Sequence, residues 1–164
     1  MKKTKIYLDT TVINFIYADD APPLRDVTLD FFNKFEKHQL FEIYISQVVL
    51  KEINDTKNIE KRQKLLEVVN KYKFEMLPDN PESRRLAKIY IEEKIIPPNK
   101  VADAEHIGIS TVSEMDILLS WNFKHLANYS RKQKVRLVNQ RENYFYPLDI
   151  ISPLEYDNER EIKF

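Results

Sequence analysis

Residues 5–14 read KIYLDTTVIN, in which Ile6, Tyr7 and Leu8 run without a break into Asp9, followed by two threonines and then Val12 and Ile13. A short run without alternation is what a strand buried on both faces carries, and an Asp or Thr directly after it can cap a helix. A strand that passes straight into a capped helix opens a βα unit, and it leaves Asp9 at the C-terminal end of the strand. The same grammar recurs. Residues 43–45 form a second apolar run, followed by Ser46 as a cap and by Val48, Val49 and Ile53 at helical spacing. Further short runs fall at 74–77, 116–120 and 149–151.

Between these runs the apolar period is three to four residues. Leu24, Val27, Phe31 and Phe35 mark a helix that starts after Ala21-Pro22-Pro23 and ends near His38, and further helices are expected over 58–72, around Leu86–Tyr90, over 101–112 and over 128–140. Strands alternating with helices predict a single α/β domain with a mostly parallel central sheet flanked by helices. Its functional groups belong beyond the C-terminal ends of the strands. The domain is expected over residues 1–154, with a partly disordered polar tail over 155–164.

Composition removes several chemistries. The chain has 164 residues and no cysteine, so disulfides, thiol nucleophiles and thiolate zinc sites are excluded. Gly108 is the only glycine, which leaves nothing to build a Walker-type loop or a dinucleotide fingerprint. No apolar stretch approaches the roughly 20 residues of a membrane span, and the start, MKKTKIYLDT, lacks the apolar core of a signal peptide. A cytoplasmic protein without membrane contact is the expectation. Lys plus Arg equals Asp plus Glu at 26 each, so any affinity for nucleic acid must come from uneven placement of charge.

Three acids stand out by position. Asp9 ends the first strand, Glu52 shares a helix face with Val48 and Val49, and Asp103 lies in the first turn of the helix that starts near Val101. Each has an ordinary alternative: a helix cap for Asp9, a lysine partner for Glu52, a helix-dipole contact for Asp103. If all three meet at the top of the sheet, their mutual repulsion favours a hard divalent cation with oxygen ligands, magnesium or manganese. Such a site can activate water for in-line attack on a phosphodiester with no covalent nucleophile.

In order and approximate spacing, IYLDTTVIN, YISQVVLKEI, VADAEHIGIS and MDILLSWNFKHLAN, with ISPLEY near the end, resemble the PIN-domain family and in particular the VapC-like ribonuclease toxins of toxin–antitoxin systems. The resemblance spans nearly the whole chain. It implies a parallel-sheet nuclease fold, a catalytic set of Asp9, Glu52, Asp103 and Asn122, and metal binding by the three acids. It also implies a cognate antitoxin and a homodimer, with Thr11 as a hydroxyl that supports the first motif and contacts the RNA substrate. Many relatives carry an aspartate where this chain has Asn122, which brings no negative charge. Asp116 is the other acid offered for that fourth position, although a strand-start residue belongs at the opposite end of the sheet.

From Ile117 to Arg141 there is no acid, but there are Lys124, Arg131, Lys132, Lys134, Arg136 and Arg141. Lys124, His125 and Arg131 are the expected contacts to RNA phosphates, with Trp121 or Tyr129 as a stacking surface; a solvated helix face with a core tryptophan is the structural alternative. His106, three residues after Asp103, can orient a ligand through a hydrogen bond or can simply be a satisfied core histidine. The functional expectation is a magnesium- or manganese-dependent endoribonuclease, the toxin of a two-protein pair. Asn122 motivates an alternative: a catalytically degenerate PIN-fold RNA-binding or scaffold protein.

Overall fold

Ile6, Tyr7 and Leu8 are all completely buried although successive strand residues face opposite sides, so both faces of the sheet are covered. In the computed structural model, which describes residues 2–162 and side chains through residue 157, these residues form the central strand β1 (Thr4–Leu8). Four more strands follow: β2 (Phe41–Ser46), β3 (Glu75–Leu77), β4 (Ile117–Leu119) and β5 (Asp149–Ile151). Their order is β3-β2-β1-β4-β5 and every pairing is parallel, as expected of an α/β chain. The chain builds outward from β1 through β2 to β3, then returns to the other side of β1 with β4. The direction of winding therefore reverses between β1 and β4. That reversal leaves a crevice beyond the strand ends where open α/β sheets bind their ligands.

The helices are α1 (Thr10–Asn14), α2 (Pro22–His38), α3 (Gln47–Asn54), α4 (Ile59–Lys71), α5 (Pro81–Glu92), α6 (Val101–Val112), α7 (Tyr129–Arg141) and α8 (Pro153–Ile162). The strand-to-helix caps form as the sequence suggests: Asp9 accepts from the Thr11 N–H at 3.0 Å, and the Ser46 hydroxyl from the Val48 N–H at 3.2 Å. With one glycine in the chain, the left-handed positions just beyond α2, α5, α6 and α7 fall to Gln39, Lys94, Glu114 and Asn143.

Of the segment from Glu155, expected to be a partly disordered tail, residues 155–162 belong to α8, and residues 163–164 lie outside the described ones. Ser152 and Pro153 start that helix, with the Ser152 carbonyl accepting from Tyr156 at 3.1 Å. Tyr156 packs edge-on against Phe31 and Phe41, and Asp157 meets the Lys34 ammonium at 2.7 Å.

Gly108 on α6 lies against the backbone of α5. A Cβ there would run into the carbonyl oxygen of Ser83, and backbone cannot step aside as a side chain would. Gly108→Ala is expected to cost about 1–3 kcal/mol as the helices are forced apart, outweighing the roughly 1 kcal/mol that alanine gains in helix propensity. A lower denaturant midpoint would bear this out; an unchanged or higher one would mean that the two helices slide without penalty.

Candidate active site

The backbone brings the acids to one mouth. Asp9 leaves β1 with its N–H bonded to the Leu119 carbonyl at 3.2 Å, so the turns after β1 and β4 are joined directly. Its carboxylate is buried. One oxygen accepts from the N–H and hydroxyl of Thr11, and the other accepts from the Ser120 hydroxyl. The Thr11 hydroxyl in turn accepts from the Trp121 N–H at 2.9 Å, which ties the first motif to the SWN turn.

Glu52, on α3, is half-buried. Its Oε1 accepts from the Thr10 hydroxyl at 2.7 Å and faces Nε2 of His106 at 2.6 Å, while Oε2 has no hydrogen-bond partner among the described residues. Asp103, in the first turn of α6, accepts through Oδ2 from the Asn122 amide at 3.1 Å and leaves Oδ1 without one. The Asn122 side-chain oxygen accepts from the His125 N–H at 3.0 Å, so this amide braces the SWN turn and Asp103 at once.

The charges feel one another. Burial pushes Asp9 up to about 6; His106, Ser120 and Thr11 oppose the rise and Asp103 adds to it. Burial also lifts Asp103 above the usual carboxylate range, with His106 pulling the other way and Glu52 adding to the rise. For Glu52, burial favours the neutral acid, but the hydrogen bond and charge of His106 together with the Thr10 hydroxyl hold it below its ordinary value. His106, itself fully buried, is pulled down by burial but ends raised, because Glu52, Asp9 and Asp103 all favour its charged form.

Proximity is not a closed cage. Among the described residues, no three His, Asp or Glu side chains come together closely enough to enclose a metal ion. The physical reason is visible in the partners: Asp9 is turned into its own loop by Thr11 and Ser120, and Glu52 is drawn toward Thr10 and His106. Between Glu52 and Asp103, the carboxylate oxygens left without a hydrogen-bond partner among the described residues are Oε2 of Glu52 and Oδ1 of Asp103. This donor set fits magnesium, which commonly takes one or two carboxylates and keeps several waters.

Asp116 lies at the other end of the sheet. One of its oxygens accepts from the Lys5 N–H at 2.8 Å and the other from the Tyr146 hydroxyl at 2.5 Å, so it closes the entry to β1 and cannot join Asp9. The basic run is only partly available. Lys132 and Arg136 face Asp149, and Arg141 pairs with Glu93 and Glu142, whereas Lys124, Arg131 and Lys134 have no ion pair among the described residues. His125 stands by the mouth: burial lowers its pKa, Asp103 opposes this, and Arg131, Lys124 and Lys100 reinforce it. Its Nδ1 is buried with no partner among the described residues. Trp121 is core, with its ring N–H donated to the Thr28 hydroxyl at 2.8 Å, while Tyr129 is exposed.

Sequence reasoning missed Thr10, Ser120 and Lys100. The first two lie inside quoted motifs, Thr10 directly after Asp9 and Ser120 two residues before Asn122, and a polar residue where each apolar run ends was the available signal. Lys100 precedes α6 and lies within electrostatic reach of Glu52, Asp103 and His125.

No protein-family model matches the sequence, and no curated protein does. Solved structures do match in shape. That of VapBC2 from Rickettsia felis, bound to a DNA fragment from their promoter, aligns over 91% of this chain and 98% of its own at 15% identity, with a TM-score of 0.57. That of VapBC-5, a VapBC-family toxin–antitoxin member from Mycobacterium tuberculosis, aligns over 91% and 98% at 14% identity, with a TM-score of 0.48. The fold is thus a VapC-like PIN fold, one α/β domain around a parallel sheet of five strands. Among the described residues, no helix is long and apolar enough to cross a membrane.

Proposed function

We propose that this chain is a magnesium- or manganese-dependent endoribonuclease acting as the toxin of a toxin–antitoxin pair. The observation that carries the reading is that Asp103 lies within electrostatic reach of both Asp9 and Glu52 beside the winding reversal, with Lys100 acting on Glu52 and Asp103 and with Lys124 and Arg131 acting on the neighbouring His125. Glu52 and Asp103 would hold the metal through Oε2 and Oδ1. When bound, such an ion supplies an activated water and polarises the scissile phosphate. Asp9 keeps the two strand-end turns in register, Asn122 fixes the rotamer of Asp103, and the free cations at the rim take the phosphates on either side of the cut.

The likeness in fold to the Rickettsia felis protein, whose structure is that of a VapBC complex, supports a cognate antitoxin as partner. A homodimer and a cytoplasmic setting complete the reading. Asn122 and the open geometry of the acids favour one rival, a PIN-fold protein that binds RNA without cutting it.

The test is cleavage of end-labelled hairpin and unpaired RNAs by purified, antitoxin-free protein in magnesium, manganese or chelator. Cleavage with either metal and none with chelator is expected. Binding with no cleavage under any condition would sink the ribonuclease reading and leave the binding protein.

A further inference from the structure

Glu52 is held by a buried chain of hydrogen bonds that crosses the sheet. The hydroxyl of Tyr7, on β1, lies 2.6 Å from the Ser46 hydroxyl at the end of β2 and 2.7 Å from Nδ1 of His106 on α6. Nε2 of the same imidazole lies 2.6 Å from Oε1 of Glu52 on α3. Tyr7, Ser46 and His106 are each no more than 1% exposed, so none of them reaches substrate. The direction of the chain follows from the charge of the imidazole. With the imidazole charged, Nδ1–H donates to Tyr7 and the Tyr7 hydroxyl to Ser46; with it neutral, Ser46 donates to Tyr7 and Tyr7 to Nδ1, and the single ring proton sits on Nε2 facing Glu52. A carboxylate can only accept, so that proton faces Glu52 in either charge state of the imidazole.

This arrangement has a consequence at Glu52. The His106 and Thr10 donors both fall on Oε1, and Oε2 is left without a protein partner among the described residues. A carboxylate pinned by two donors on one oxygen cannot rotate to expose the other orientation without losing both.

We propose that His106 is a positioning residue for Glu52, held by Tyr7 and Ser46, which fixes Oε2 toward the mouth of the site. The inference rests on the ribonuclease reading, and it adds residues remote from the substrate to the machinery. Outer partners of this kind typically account for roughly 10- to 100-fold in activity or metal affinity.

Two measurements test it. In single-turnover cleavage, His106→Ala should lower kcat about 10- to 100-fold at unchanged KM, with His106→Gln restoring part of the loss through its side-chain amide; Tyr7→Phe, which frees Nδ1, should lower kcat by a smaller factor. Nitrogen-15 spectra of histidine-labelled protein, with neither metal nor RNA, should show the His106 proton on Nε2 and a shift of that signal in Glu52→Gln. A kcat unchanged in folded His106→Ala, or a Gln variant no better than Ala, overturns the positioning role. A lone proton on Nδ1 overturns the hydrogen-bond chain. Wild-type protein that cuts no RNA sinks the ribonuclease reading and this role with it, while the spectra still decide whether the chain of hydrogen bonds exists.

Discussion

Asp103→Asn is expected to abolish RNA cleavage while leaving the fold and its melting temperature in chelator intact or slightly raised. The substitution keeps an oxygen to accept from the Asn122 amide, so the brace between α6 and the SWN turn survives. It removes a charge that burial already disfavours and that Glu52 repels, so the cation-free protein loses nothing by it. It also withdraws half of the negative charge that the two free oxygens offer a metal. The loss of activity should exceed the roughly 100-fold that removal of an outer partner costs.

A second readout separates metal binding from chemistry. A ligand present at about 100 times its dissociation constant adds roughly 2.7 kcal/mol to stability. Added manganese should therefore raise the melting temperature of the wild type and not that of Asp103→Asn. Cleavage that persists in the variant at near wild-type rate would take Asp103 out of the reaction. A metal-induced rise of equal size in both proteins would move the cation to another site.

Much of this site was legible because each of its turns is announced by a short apolar run ending in a polar residue. Asp9 after Ile6–Leu8, Ser46 after 43–45 and Asn122 after 117–119 all lie where that reading put them. The partners of those residues were not legible. Tyr7 reads as one more core aromatic, and nothing within its strand reveals that its hydroxyl meets a histidine 99 positions away. That contact depends on where α6 docks, a property of packing. Which cations of the basic run are already paired was not legible either: the acids that face Lys132, Arg136 and Arg141 sit on β5 and just beyond the ends of α7 and α5, outside the acid-free stretch. Helix α8 escaped notice because Tyr156 is the one aromatic anchor in a run of charges, and a single anchor makes no period.

Thr11 is where the sequence reading and the geometry make opposite predictions. A hydroxyl two residues after a metal-site aspartate suggests a contact to substrate. In the fold, its oxygen donates to Asp9 and accepts from the Trp121 N–H, so both of its capacities serve the joint between the β1 and β4 turns. Thr11→Val keeps the shape and removes both bonds. The N–H of Trp121, in a residue only 4% exposed, is then left without its acceptor, and Asp9 loses one of three donors. A buried unsatisfied donor costs about 1–3 kcal/mol, and the lost hydrogen bond to a carboxylate adds about 1.5–3 more. The expected outcome is a destabilisation of about 2.5–6 kcal/mol by denaturant titration, with Thr11→Ser close to wild type. Assayed where it is still folded, Thr11→Val should show a lower kcat, because Asp9 is held by two donors instead of three, and an unchanged KM. A raised KM with stability intact would instead return Thr11 to the role of substrate contact, and the joint between the two turns would then rest on the Ser120 hydroxyl and the Asp9 N–H alone.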